Sequence, residues 1–202
     1  MTKKLTEMVF ILDRSGSMSG LENDTIGGFN SMIKKQKKEG DAIVSTVLFS
    51  NDIEILHDRV ELKDVKKLTD REYYVTGSTA LLDAVGGTIE RIKRVQKTDS
   101  RKAPDTTLFV IITDGYENSS REFSYTKVKK LIEKQKENGW DFLFLGSNID
   151  VAEEAEKMGI GRNNAVEYCC DSDGILDMYE CVDAKMSYAR DHGSFDDVRS
   201  NH

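Results

Sequence analysis

Three oxygen-bearing side chains alternate at Asp13, Ser15 and Ser17, directly after the apolar run Met8-Val9-Phe10-Ile11-Leu12. A short continuous apolar run suits a strand buried on both faces, so the chemistry begins where that strand stops. Gly16 lets the backbone bend between the two serines, and in a tight loop the three oxygens can converge on one point. Hard oxygen donors of this kind select Mg2+ or Mn2+, with Ca2+ also accommodated. A second acid, Asp114, follows the apolar run from Thr107 to Thr113 in the same way, and Thr79 stands where a helical pattern begins.

The elements that must position these residues are legible from periodicity. Ile26, Phe29 and Ile33 mark an amphipathic helix from about Leu21 to Lys38, stopped by Gly40. Ala42–Phe49 and Asp52–Leu62 are β-rich runs close enough to form an antiparallel hairpin, and the charged segment from Lys63 to Val75 connects onward. Leu82, Val85, Ile89 and Ile92 give a second helix to about Gln96, and the polar stretch from Thr98 to Asp105, with the only proline, gives an exposed loop. Val128, Leu131, Ile132 and Gln135 predict a third helix, closed by Asn138-Gly139. Trp140–Leu145 is the next strand, Val151–Met158 a short helix, and Ala165–Cys170 a strand at the sheet edge. A final helix carries Ile175, Tyr179, Val182, Met186 and Ala189, with Asp173 as its N-cap.

Strands alternating with helices predict an α/β fold: a doubly wound, mostly parallel, Rossmann-like sheet with helices on both faces and one antiparallel edge strand. The expected organisation is a single domain over 1–190 and a polar, loose tail over 191–202. In such sheets ligands bind beyond the carboxyl ends of the strands, where the strand order reverses. Asp13 and Asp114 should therefore share that rim, and Thr79 can complete it.

Composition sets the class. The chain of 202 residues is 38% hydrophobic and 32% charged, with no apolar run near the length of a membrane span. A net charge of −7 works against binding to nucleic acid. The lysines at 34, 35, 37 and 38, and at 127, 129, 130, 134 and 136, read as solvated helix faces. No signal peptide is read at the N-terminus, and Cys169, Cys170 and Cys181 lack paired spacing, which fits a reducing cytoplasm.

The constellation Asp13-Arg14-Ser15-Gly16-Ser17, Gly77-Ser78-Thr79 and Thr113-Asp114-Gly115 resembles the metal-ion-dependent adhesion site of the von Willebrand factor A domain family. All five of the family's ligand positions match, and the resemblance covers roughly Lys4 to Tyr168. It implies that Ser15, Ser17 and Thr79 present hydroxyls to a divalent ion while Asp13 and Asp114 bind directly or through water. It further implies a protein-binding module, not an enzyme, in which the open metal position takes a Glu or Asp carboxylate of a partner protein. Intracellular members of the family often work beside ATPases, chelatases or stress-resistance systems.

Other chemistries fit the same residues less well. A Mg2+-dependent phosphatase of the haloacid-dehalogenase type needs Asp-x-Asp, and Ser15 stands where its general acid would be. A structural reading leaves the metal to stiffen the loops of an assembly. His57, His192 and His202 are too dispersed for zinc, and His57, in the hairpin, and terminal His202 read as solvent-facing. Asp171-Ser172-Asp173-Gly174 opens like a calcium loop but lacks the closing acid, and Cys169-Cys170 read as small packing residues of the edge strand. Asp83 admits two roles, orienting the site or lying at a polar surface. The loop Tyr116-Glu117-Asn118-Ser119-Ser120 is assigned to the binding face.

Overall fold

A computed structural model describes residues 5–98 and 103–196. Six strands, β1 (Thr6–Asp13), β2 (Ala42–Phe49), β3 (Ile53–Glu61), β4 (Thr106–Thr113), β5 (Trp140–Gly146) and β6 (Ala165–Glu167), form one sheet in the order β3-β2-β1-β4-β5-β6. Only the β2–β3 pairing is antiparallel. Five helices, α1 (Glu22–Gln36), α2 (Leu81–Thr98), α3 (Tyr125–Lys136), α4 (Val151–Lys157) and α5 (Ser172–His192), cover the two faces. Alternate residues of β1 explain both layers: Met8, Phe10 and Leu12 pack in one core with α1 and α5, while Val9 and Ile11 pack in the other with α2, α3 and α4. The sheet is the one the apolar runs predict.

The strand order turns back between β1 and β4, which are direct neighbours with Leu12 opposite Ile112. That is the switch point, and it sets Asp13 beside Thr113 and Asp114 at the carboxyl-end rim. On the first face, α1 and α5 cross closely at Gly28, where a Cβ would stand 2.3 Å from the Tyr179 ring. Phe29 meets both Phe10 and Tyr179 edge-on. At its C-terminal end α1 is tied to α5 by Arg190, whose guanidinium donates to the Gln36, Gly40 and Asp41 carbonyls and to Gln36 Oε1.

Several local expectations are corrected. His57 is not solvent-facing: it is 5% exposed, its Nδ1 is 3.0 Å from Thr46 Oγ1, and burial pushes its pKa down. The edge strand ends at Glu167, so Cys169 and Cys170 lie in the loop after it rather than in the strand. The N-cap of α5 is Asp171, whose carboxylate accepts from Gly174 N at 2.8 Å, and Asp173 sits inside the first turn. The expected loose tail is ordered over its first residues. α5 runs to His192, Phe195 is 4% exposed, and buried Asp141 accepts from Ser194 Oγ and Phe195 N, both at 2.7 Å. The rest of that tail, His202 included, lies outside the described residues, as do residues 1–4 and the middle of the loop around Pro104.

Candidate metal centre

Asp13 ends β1 and is 1% exposed. Its two oxygens are held from two sides: Oδ1 accepts from Ser15 N in the loop after β1 at 2.7 Å, and Oδ2 accepts from Thr113 Oγ1 on β4 at 2.6 Å. Its carbonyl accepts from the Tyr73 hydroxyl at 2.5 Å. After this bracketed acid the chain turns through a single 3-10 turn, Gly16–Met18, which brings Ser15 Oγ and Ser17 Oγ to 3.2 Å. Ser17 Oγ in turn donates to Asp114 Oδ1 at 2.6 Å. A hydrogen-bonded chain of oxygens thus runs from Ser15 to Asp114 across the switch point.

Thr79 arrives from the other side. Gly16 N donates to Gly77 O at 3.0 Å, and Thr76 N donates to Arg14 O, so the Gly77 loop is pinned along the serine loop. Gly77 has φ +69, and a Cβ there would stand 1.7 Å from Asn51 Oδ1, so only glycine fits. Thr79 itself is 3% exposed, and its hydroxyl faces Ser17 across Gly115: a Cβ built on Gly115 would lie 3.7 Å from Ser17 Oγ and 3.9 Å from Thr79 Oγ1. All five residues singled out in the sequence, Asp13, Ser15, Ser17, Thr79 and Asp114, are brought together.

The loop after β4 is a scaffold that the spacing did not show. Thr79 N donates to Asn118 Oδ1 at 2.9 Å, and Asn118 N returns a bond to Thr79 O. Glu117 accepts from Leu82 N, Ser119 N, Ser120 N and Ser120 Oγ, which satisfies the open start of α2 and folds its own loop. Asp83 takes neither of its expected roles in simple form. Its carboxylate accepts from the backbone of Arg121, Glu122 and Phe123, so it holds this loop and not the five candidate residues. Glu117→Ala should lower thermal stability by about 1–2 kcal/mol, the usual cost of a lost cap, and weaken divalent-ion binding as Thr79 loosens. Paired thermal melts and calorimetric titrations would check this.

The electrostatics favour a cation. Burial pushes the Asp13 carboxyl up to about 6, with the neighbouring Asp114 adding to the rise, and burial raises Asp114 as well. Among the described residues no lysine or arginine pairs with either acid. Arg14, next in sequence, turns away to Glu54, Glu72 O and the Tyr74 ring. Two buried carboxylates and three hydroxyls with no side-chain cation between them fit a hard divalent ion. No group of three His, Cys, Asp or Glu side chains suited to a metal occurs among the described residues, so any ion here leans on hydroxyls.

Around this centre, Tyr116 is 51% exposed and its hydroxyl accepts from Asp150 N at 3.1 Å. Asn148, at φ +58, donates to Asp114 O, and Tyr168 donates to Thr113 O. Cys170 Sγ lies 3.9 Å from Asp114 Oδ2, a neighbour that no spacing pattern announced.

Solved structures share the fold. The PilB minor pilin from Streptococcus sanguinis matches at a TM-score of 0.67 with 12% identity, over 95% of this chain and 63% of that one. Proximal thread matrix protein 1 from the mussel byssus, in a form with a zinc-occupied MIDAS motif, matches at 0.63 with 15% identity, over 92% and 46%. The SpRpn10 VWA domain matches at 0.62 with 11% identity, over 87% and 93%. The chain therefore spans under two thirds of the pilin and under half of the byssus protein. No curated protein matches the chain. The von Willebrand factor type A domain model covers residues 7–175, strands, serine loop and both acids included, and the chain belongs to that family.

Proposed function

We propose that this domain is a metal-dependent protein-binding module rather than an enzyme. In this reading Ser15, Ser17 and Thr79, with Asp13 and Asp114 directly or through water, hold Mg2+ or Mn2+, with Ca2+ a weaker alternative. The observation that carries it is the pair of buried carboxylates at the ends of neighbouring strands, linked through hydroxyls and, among the described residues, lacking a side-chain counter-ion. A bound divalent ion would supply an electrophilic position for a Glu or Asp carboxylate of a partner protein.

The residues divide that work. Neutral hydroxyls leave most of the ion's charge uncompensated, which keeps it attractive to an incoming carboxylate. Thr113 and the Ser15 amide fix the orientation of Asp13, and Ser17 fixes Asp114, so little reordering is left to binding. Tyr116, exposed at the rim but fixed through its hydroxyl, offers apolar area at low entropic cost. Three free thiols suit a cytoplasmic setting, and the family resemblance extends the proposal to a partner within an ATPase or stress-resistance system. Nucleic acid and membrane surfaces are not proposed as partners of a domain with net charge −7.

Mn2+ titration followed by water-proton relaxation tests this directly, with acetate as the carboxylate probe. Bound Mn2+ whose water is displaced by acetate, in the wild type and not in Asp13→Ala, supports the reading. Tight Mn2+ with no acetate effect would favour a purely structural ion. Turnover of a generic phosphomonoester would favour the phosphatase alternative, against which Ser15 already stands. Tyr116→Ala should leave the Mn2+ affinity unchanged and weaken capture of any acidic protein ligand.

A further inference from the structure

The lysines of α1 do not form one solvated face. Gly27, Lys34 and Lys37 recur at helical spacing on the side of α1 that meets the segment after the 3-10 turn Leu62–Asp64. In that segment Leu62, Val65 and Leu68 are buried at a spacing of three, which turns Lys66 and Lys67 outward. It is stapled to α1 at both ends. Asn30 donates to Leu68 O at 2.8 Å and accepts from Leu68 N at 2.9 Å, while Lys37 Nζ donates to Lys63 O at 3.1 Å and to Val65 O at 2.9 Å. Between the staples lies a groove of about 380 Å3, with buried Ile33 and Val65 in its lining. Four lysines, at 34, 37, 66 and 67, and no carboxylate are among the described residues that line it. Lys34, Lys66 and Lys67 form no ion pair with any described residue, whereas Lys35, turned toward α5, lies 3.5 Å from Asp183.

We propose that this groove is a second partner-binding site of the domain, one that takes an acidic, extended peptide segment of another protein. This rests on the reading of the domain as a protein-binding module, but not on its metal. Charge complementarity selects the occupant: amines without acids around them attract an anion, even in a chain of net charge −7. The distribution of the amines selects a peptide over a phosphate. Lys34 and Lys37 stand on the helical wall, and Lys66 and Lys67 on the wall opposite, so the charge follows the rims of the groove instead of converging on one point. Asn30 turns its amide to the Leu68 backbone, so no ring of fixed donors closes round a compact anion. The apolar lining of Ile33 and Val65 receives a leucine-sized side chain between the flanking carboxylates. The helix dipole accounts for lysines in the last turn of α1, but not for Lys66 and Lys67, which belong to no helix. Both walls are held in advance by the staples, so little ordering is left to binding on this side.

Fluorescence anisotropy of a labelled Glu-Glu-Leu-Glu-Glu peptide with the full chain, in chelator at low salt, tests this. The wild type should bind the peptide, less tightly as salt rises, and replacing its leucine by glycine should weaken binding. Gly27→Glu should weaken it about tenfold or more. Nothing lies within 4 Å of a Cβ at Gly27, and the change removes a glycine from a helix, so the fold is kept while a carboxylate enters the groove. Lys67→Glu should act in the same direction. Lys130→Glu, the same charge change placed on α3 across the sheet, should alter binding less than about twofold. No binding by the wild type, equal binding by Gly27→Glu, or equal losses in Lys67→Glu and Lys130→Glu would overturn the inference. Inorganic triphosphate that binds the groove more tightly than the peptide would also overturn it, in favour of a phosphate site. Chelator removes the divalent ions, so failure here leaves the metal reading standing, and loss of the acetate effect on Mn2+ leaves the groove standing.

Discussion

Asp13→Asn should abolish divalent-ion binding while making the metal-free domain more stable at neutral pH. The carboxyl is pushed up to about 6 from 3.8 in the fold, so between those values the folded chain binds more protons than the unfolded one. Stability from this group is therefore greatest at low pH, falls as pH rises through that window, and stays low above it. A shift of about two units corresponds to a penalty on the order of 3 kcal/mol. Asparagine removes the charge yet keeps the bonds: one oxygen still accepts from Ser15 N, and its amide can donate to Thr113 Oγ1, whose proton already has Gly115 O at 3.1 Å as a second acceptor. Urea unfolding in chelator, at pH 4 and pH 7.5, should show the variant's advantage widening by on the order of 2–3 kcal/mol. A constant gap would mean that the acid is not held unfavourably. With saturating Mg2+ the order should reverse, because only the wild type gains from the ion.

Arg190→Ala should be strongly destabilising although it lies far from the candidate metal centre. The side chain is 7% exposed and its four hydrogen bonds close the end of α1, where helix carbonyls otherwise have no partner. Truncation leaves three carbonyls and the Gln36 amide oxygen short of a donor and opens space between α1 and α5. Losing bonds from a charged donor to these partly buried acceptors, with the packing of the side chain's stem, costs about 2–3 kcal/mol. Denaturant unfolding should show that loss with little change in Mn2+ affinity, since the damage lies at the opposite end of α1 from the serine loop. A loss of metal binding as large as the loss of stability would instead mean that α5 and the metal loop move together.

What could be read in advance depended on the range of the interaction. The strand ends and the five candidate residues were legible because each is written locally: an apolar run followed by an acid, or a threonine before an amphipathic repeat. The hydrogen-bond partners of those residues were not, because they meet only through the sheet. Thr113 reaches Asp13 from the neighbouring strand, and Asn118 and Glu117 meet the start of α2 from a loop nearly forty residues away. His57 was misjudged because alternation in the hairpin gives no clue to which edge-strand residues turn inward at an irregular β2–β3 register. The polar letters after Asp191 hid Phe195, which a buried aspartate on β5 anchors through the backbone, an interaction with no sequence pattern. Asp173 and Asp171 both carry capping side chains, and only the backbone decides which one precedes the first turn.

The Asp141 anchor has an architectural consequence. It lies at the start of β5, and Leu5 pairs with Asp105 just before β4, so the chain at Leu5 and the chain at Phe195 both meet the floor of the sheet. The serine loop, Thr79 and Tyr116 crown the opposite end. Tethering through either side of the floor, to a surface, a bead or a neighbouring module, leaves the crown facing outward. Arrays of such units would display their candidate sites in parallel, like lamps on short posts.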